Sequence, residues 1–259
     1  MSHPVIDTLV ELESSAARIW WSSEDRAAWR DDLLRRLDSQ PTLFLKSFLK
    51  QPSTGFEVLT WDEDLLRCFS QTRQPSTART FESIAEKIQT VESGQILGLM
   101  PRPGFWLTET WHEEEDILRE SLSIAKKKQA LIVRCGFVTE QSDVLLAAEL
   151  GFSGVQIHAA ALDLFELQLL IELARDCRLS PIVSISDTAQ MQTLLETDAP
   201  HVALCCLAGE GFEEAIRFVQ DALPGIPSNC TKILLTAALD EKEVMNFARL
   251  GFHSVMTLV

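Results

Sequence analysis

Ala148-Glu149-Leu150-Gly151-Phe152-Ser153-Gly154-Val155-Gln156-Ile157-His158 ends a helix, turns on glycine and opens a strand. Gly151 stands where a left-handed helix C-cap is expected, because a residue without Cβ takes positive φ at no steric cost. The stretch recurs further on: Ala248-x-Leu250-Gly251-Phe252-x-x-Val255 repeats the helix end, the glycine and the strand entry. Two returns with the same packing chemistry predict equivalent units of a repeating architecture.

Working outward from these returns, short apolar runs alternate with stretches of helical periodicity. The runs are 95–99, 130–134, 154–158, 181–185, 201–205, 232–236 and 254–258. Thr42-Leu43-Phe44-Leu45-Lys46 is read as a first strand ahead of them. Near-continuous apolar strands alternating with helices indicate a parallel sheet covered on both faces. Asp187 with Gln190 and Asp240 with Glu243 are capping boxes that start two of the helices. Eight strands in βα order predict a (β/α)8 TIM barrel. Ahead of it, residues 5–20 and 24–38 read as two extra N-terminal helices. The run Thr257-Leu258-Val259 leaves no full eighth helix in the sequence. Residues 1–40 are thus expected to form a helical extension and 41–259 the barrel, as one domain overall. Pro52, Gly55 and Pro75 break the segment 50–78, which is read as the long connection after the first strand.

Composition narrows the function. The formal net charge of −15 repels phosphate backbones and anionic bilayers, so neither nucleic acid nor a membrane surface is an expected partner. No apolar run spans a bilayer, and Met1-Ser2-His3-Pro4 lacks the basic and apolar regions of a secretion signal, so a cytoplasmic protein is expected. Its six cysteines show no C-x-x-C spacing and read as buried free thiols, not as a disulfide framework or a zinc site. With no P-loop or G-x-G-x-x-G, no cofactor and no metal is expected.

Barrels of this kind place their chemistry at the C-terminal ends of the strands. The polar groups expected there, as a ligand-binding set, are Lys46, Arg134, Cys135, His158, Ser184 and Thr236. Arg134 could lower the pKa of the Cys135 thiol and make it a nucleophile, against the plainer reading of an inert buried thiol. His158 could act as a base, against a structural imidazole bonded to its surroundings. Lys46 and Arg134 together could hold an anion. Ser186 and Asp187 are better explained as helix caps. Glu113-Glu114-Glu115-Asp116 suits the first turn of a helix, and Lys126-Lys127-Lys128 a helix C-terminus. Trp20, Trp21 and Trp29 offer core packing or a partner surface, and Phe105-Trp106 loop packing or a lid.

Several stretches resemble the indole-3-glycerol phosphate synthase family of tryptophan biosynthesis. Ala160-Ala161-Leu162-Asp163, Leu173-Ala174 and Ile182-Val183-Ser184-Ile185-Ser186-Asp187 are similar to its fourth and fifth units. Pro52-Ser53-x-Gly55 resembles the Ser-Pro-Ser-Lys-Gly loop after its first strand, and Leu131-Ile132-Val133-Arg134-x-x-Phe137 its third strand. The resemblance implies a lyase that decarboxylates and cyclises an anilino-deoxyribulose phosphate, which needs a cationic general acid, carboxylates and a phosphate cradle. With the register fixed on Pro52, the family's first-strand Glu and Lys fall on Lys46 and Phe48, and its third-strand Lys on Cys135. The fifth-strand Glu falls on Ser184, the sixth-strand Asn on Cys205 or Cys206, and the seventh-strand Glu-Ser pair on Ala237 and Ala238. The expectation is a pseudoenzyme: a barrel of this type without the family's catalytic residues, binding a small molecule or a protein partner. The alternative is an active enzyme, either the same synthase with a rebuilt site or a new reaction at the barrel mouth.

Overall fold

The computed structural model describes residues 26–38, 45, 54–60, 80–101, 105, 111–206, 212–237, 247 and 249–258. Eight strands close into one parallel barrel in sequence order. They are β1 (Thr54–Leu59), β2 (Ile96–Leu99), β3 (Leu131–Val138), β4 (Gly154–His158), β5 (Ser180–Ile185), β6 (His201–Cys206), β7 (Thr231–Ala237) and β8 (Ser254–Leu258). The described helices are α1 (Arg26–Asp38) ahead of the barrel, then α2 (Phe81–Thr90), α3 (Trp111–Lys127), α4 (Gln141–Leu150), α5 (Leu164–Asp176), α6 (Gln190–Leu195) and α7 (Phe212–Ala222). The expected TIM barrel is therefore present. The earlier of the two expected N-terminal helices lies outside the described residues; the later one is α1.

One strand is displaced from its expected place. The barrel's first strand is Thr54–Leu59, not residues 42–46. It pairs with β8 from Thr54↔Ser254 to Val58↔Leu258 and with β2 at Val58↔Gly98. Leu45 is instead helical and fully buried, and its N–H donates to Ser180 Oγ at the foot of β5, 3.1 Å away. Pro52-Ser53-x-Gly55 accordingly runs into the first strand and does not follow it. The register fixed on Pro52 therefore puts the family's first-strand residues ahead of β1, and Lys46 and Phe48 lie outside the described residues. Glu57, the acid that β1 does carry, faces the helices: its carboxylate lies 3.4 Å from Lys87 Nζ on α2.

Side chains alternate across each strand, so the two faces of the barrel can be separated. Leu59, Leu97, Leu99, Ile132, Val155, Ile157, Val183, Ile185, Val202, Leu204, Leu234 and Val255 join the helices in one continuous apolar layer. The opposite parity points into the lumen: Val58, Ile96, Leu131, Val133, Ile182, Ala203, Ile233, Leu235 and Met256 are all buried outside that layer. The glycine returns follow the sequence reading, whereas at α6 the N-cap residue is Ala189 and not Asp187, and Asp240 and Glu243 lie outside the described residues. Gly151 and Gly251 both take φ of +99°, and Phe152 and Phe252 of the two echoing returns are both buried. Asp187 accepts from Gln190 N at 3.1 Å, while the Gln190 side chain turns back to Ser186 N at 2.9 Å. Glu113 and Glu114 occupy the first turn of α3, and Lys126 and Lys127 its last.

Gly98 is the tightest point of the lumen. A Cβ there would stand 2.7 Å from Val58 Cγ2 and 2.8 Å from Cys135 Sγ, so β1, β2 and β3 meet only because this residue lacks a side chain. Gly98→Ala should destabilise the fold by about 1–3 kcal/mol through overpacking. Cys135→Ala in the same chain should recover only part of that loss, because the contact with Val58 remains, as urea unfolding of the single and double variants would measure.

Candidate functional site

The inward parity brings Cys135, His158 and Ser184 of the expected set into the lumen. Each is almost fully buried, at 0%, 1% and 0% exposure. His158 and Ser184 are register partners across β4 and β5. His158 Nδ1 lies 3.3 Å from the Ser184 carbonyl oxygen, a contact that requires the proton on Nδ1. Ser184 Oγ donates in turn to the Ile157 carbonyl at 3.3 Å. His158 Nδ1 and the Ser184 hydroxyl are thus each bonded to backbone of a neighbouring strand.

Cys135 sits against Gly98, and its thiol donates to the Val133 carbonyl at 3.7 Å. Burial pushes this thiol up to about 12 and outweighs the opposing pull of a backbone hydrogen bond at Leu99 and of the Arg134 charge. The nucleophile reading fails on that balance: the thiolate is the reactive form, and burial suppresses it.

Arg134 and Thr236 do not face the lumen. Arg134 shares the parity of Ile132 and extends among the helices, where its Nη2 lies 3.7 Å from Asp143 Oδ1 on α4. Both partners are buried, at 2% and 0% side-chain exposure. Asp143 also accepts from Thr139 N and Glu140 N at 3.4 and 3.3 Å, which anchors the start of α4 to the end of β3. The cation therefore braces a strand-to-helix turn. Thr236 shares the outward parity of Leu234 and is 6% exposed. Lys46 lies outside the described residues, so the expected anion pair of Lys46 with Arg134 has lost the arginine to Asp143.

Asp143 and Gln156 are among the buried polar residues that went unread in the sequence. Asp143 is the carboxylate that Arg134 needs, and its position as the third residue of a helix was the only local signal. Gln156 takes the inward parity of β4, and its Oε1 accepts from Gly136 N at 3.4 Å where the register of β3 shifts. Phe105 is buried edge-on to Trp111, with ring centroids 4.8 Å apart, so it packs and does not form a lid. Trp29 packs against the apolar layer, while Trp20, Trp21 and Trp106 lie outside the described residues. Cys135, Cys177, Cys205, Cys206 and Cys230 are free thiols, as expected. Among the described residues no three His, Cys, Asp or Glu side chains converge as a metal site. None of the described helices is long and apolar enough to cross a membrane.

No family model and no curated relative matches this chain. Solved structures do. The 3-hexulose-6-phosphate synthase of Salmonella typhimurium aligns with a TM-score of 0.54 at 13% identity, over 79% of this chain and 88% of that one. The tryptophan synthase α2β2 complex of Pyrococcus furiosus supplies a chain with a TM-score of 0.54 at 11% identity, over 79% of this chain and 86% of its own. The carboxyl transferase domain of Rhizobium etli pyruvate carboxylase, with pyruvate and biocytin, gives 0.60 at 11% identity, over 82% of this chain and 41% of that one. At these identities the likeness establishes the TIM-barrel fold, and a fold of this kind hosts many chemistries.

Two outcomes follow from the geometry. At pH 8 a thiol of pKa about 12 is thiolate in about one part in ten thousand, so Cys135 should resist iodoacetamide in the native protein and react on unfolding, read by peptide mass. Arg134→Met should destabilise by about 3–5 kcal/mol by stranding a buried carboxylate, and Arg134→Met with Asp143→Asn, which keeps an acceptor for Thr139 N and Glu140 N, should restore most of it in urea melts.

Proposed function

We propose that this chain is a diverged relative of the indole-3-glycerol phosphate synthases that keeps their barrel, no longer performs their ring closure, and serves as a cytoplasmic binding protein. One observation carries the reading: among the described residues, no strand position of inward parity holds Asp, Glu, Lys or Arg. From β1 to β8 those described positions are filled by Val58, Ile96, Gly98, Leu131, Val133, Cys135, Gly154, Gln156, His158, Ser180, Ile182, Ser184, His201, Ala203, Cys205, Thr231, Ile233, Leu235, Ser254 and Met256. Decarboxylation and cyclisation of an anionic sugar phosphate require a proton donor and fixed charges aimed at the reacting atoms. A thiol pushed up to about 12 is a poor acid, and His158 is bonded to backbone inside the lumen.

The positions that resemble the family's third- and fifth-strand acids and bases, Cys135 and Ser184, are inward and buried, so their replacement removes charge from the site itself. The correction to β1 leaves this reading intact, since Glu57 of that strand is turned to Lys87. Incubation of concentrated protein with the anilino-deoxyribulose phosphate, followed by chromatography, should give no indole product above a protein-free control. Product that grows with protein concentration would reinstate the enzyme reading, with charges supplied by the connecting segments in place of the strands.

A further inference from the structure

The end of the barrel opposite the mouth holds a cavity of about 810 Å³. It lies between α1 and the feet of β5 and β6. Leu34, Leu179, Pro181 and Pro200 give it an apolar wall, and the guanidiniums of Arg35, Arg175 and Arg178 stand around it. Its volume falls in the range of small-molecule sites, about 300–1,000 Å³, which are apolar chambers with a few placed polar groups.

The arginines are positioned. Arg175 Nη1 donates to Asp198 Oδ2 at 2.9 Å and its Nη2 to the Asp198 carbonyl at 2.7 Å, which uses two of the five N–H groups a guanidinium has. Arg178 Nη2 donates to Asp38 Oδ1 at 3.1 Å and ties the end of α1 to the turn after α5. That turn is itself unusual. Arg178 holds φ of +60°, the left-handed conformation that Gly151 and Gly251 supply in the corresponding returns. Gln129 shows that a longer side chain is tolerated in such a turn. At residue 178 the tolerated side chain is a cation at the edge of a cavity. Asp38 and Asp176 share the lining with the three arginines, while Asp198 and Asp32 hold Arg175 and Arg35 in place, so the guanidiniums are fixed at the edge of the cavity.

We propose that the base cavity is a binding site for a small organic anion: an aromatic or branched apolar body lying on the Leu34, Leu179 and proline wall, with a carboxylate or sulfonate held by Arg175 and Arg178. The site is separate from the mouth, and an indole product in the assay above would leave it untouched.

The probe is 8-anilinonaphthalene-1-sulfonate, titrated by fluorescence against the full chain. The expected result is saturable binding at one site, with uncharged N-phenyl-1-naphthylamine at least tenfold weaker. Arg178→Gly should weaken the sulfonate at least tenfold without lowering the thermal midpoint, because glycine suits the left-handed turn. Arg217→Gln, which removes an exposed arginine of α7 outside the cavity, should leave affinity unchanged. Should Arg178→Gly lower the midpoint, Arg175→Gln replaces it as the deciding variant. Unsaturable binding, equal affinity for the uncharged probe, or wild-type affinity in both folded variants would overturn the proposal.

Discussion

Closing eight parallel strands creates a lumen that must be filled from the inward positions alone, and the character of that filling governs this molecule. Here it is met without formal charge. Gly98 shows how closely the volume is matched, since one added carbon would stand inside the contact distance of both Val58 and Cys135. The polar residues admitted to the lumen, among them Gln156, His158 and Ser184, bond to backbone of the adjoining strands. These bonds tie neighbouring strands of the lumen to one another.

The charges that belong to the strands are turned to the outer layer instead. Glu57 meets Lys87 on α2, and Arg134 meets Asp143 on α4. In the second case both partners are buried, so the pair fixes how α4 leaves β3 more than it adds net stability. Burying an arginine between strand and helix also explains why Asp143 spends both oxygens locally, one toward the guanidinium and one on the N–H groups of Thr139 and Glu140.

Much of the fold was legible from the chain because buried parallel strands read as continuous apolar runs, and the glycine returns mark where they begin. β1 was not, because Thr54-Gly55-Phe56-Glu57-Val58-Leu59 interrupts its apolar character with a glycine and an acid, both poor strand formers. Thr42–Lys46 looked better by composition, yet Leu45 is helical and bonded at the barrel's foot. The same property that reveals the strands conceals their orientation. When both faces are apolar, period two gives no sign of which residues point inward, so Arg134 and Thr236 read as mouth groups as readily as His158 and Ser184. Only the partner across the layer decides, and Asp143 is too far along the chain, behind a register shift in β3, for spacing to announce it.

An uncharged lumen also resists being recharged one residue at a time. A lysine at residue 135 would meet Gly98, and no carboxylate stands at any described inward strand position to receive it. An ammonium there would be neutralised by burial or would disrupt the packing. A carboxylate at residue 184, with Ile182 and Ala203 near it, could keep its charge only by drawing a proton onto the ring of its register partner His158. Acid and base would have to return together, with space made for both, before either was tolerable. The replacements at the positions that resemble catalytic ones therefore depend on one another energetically.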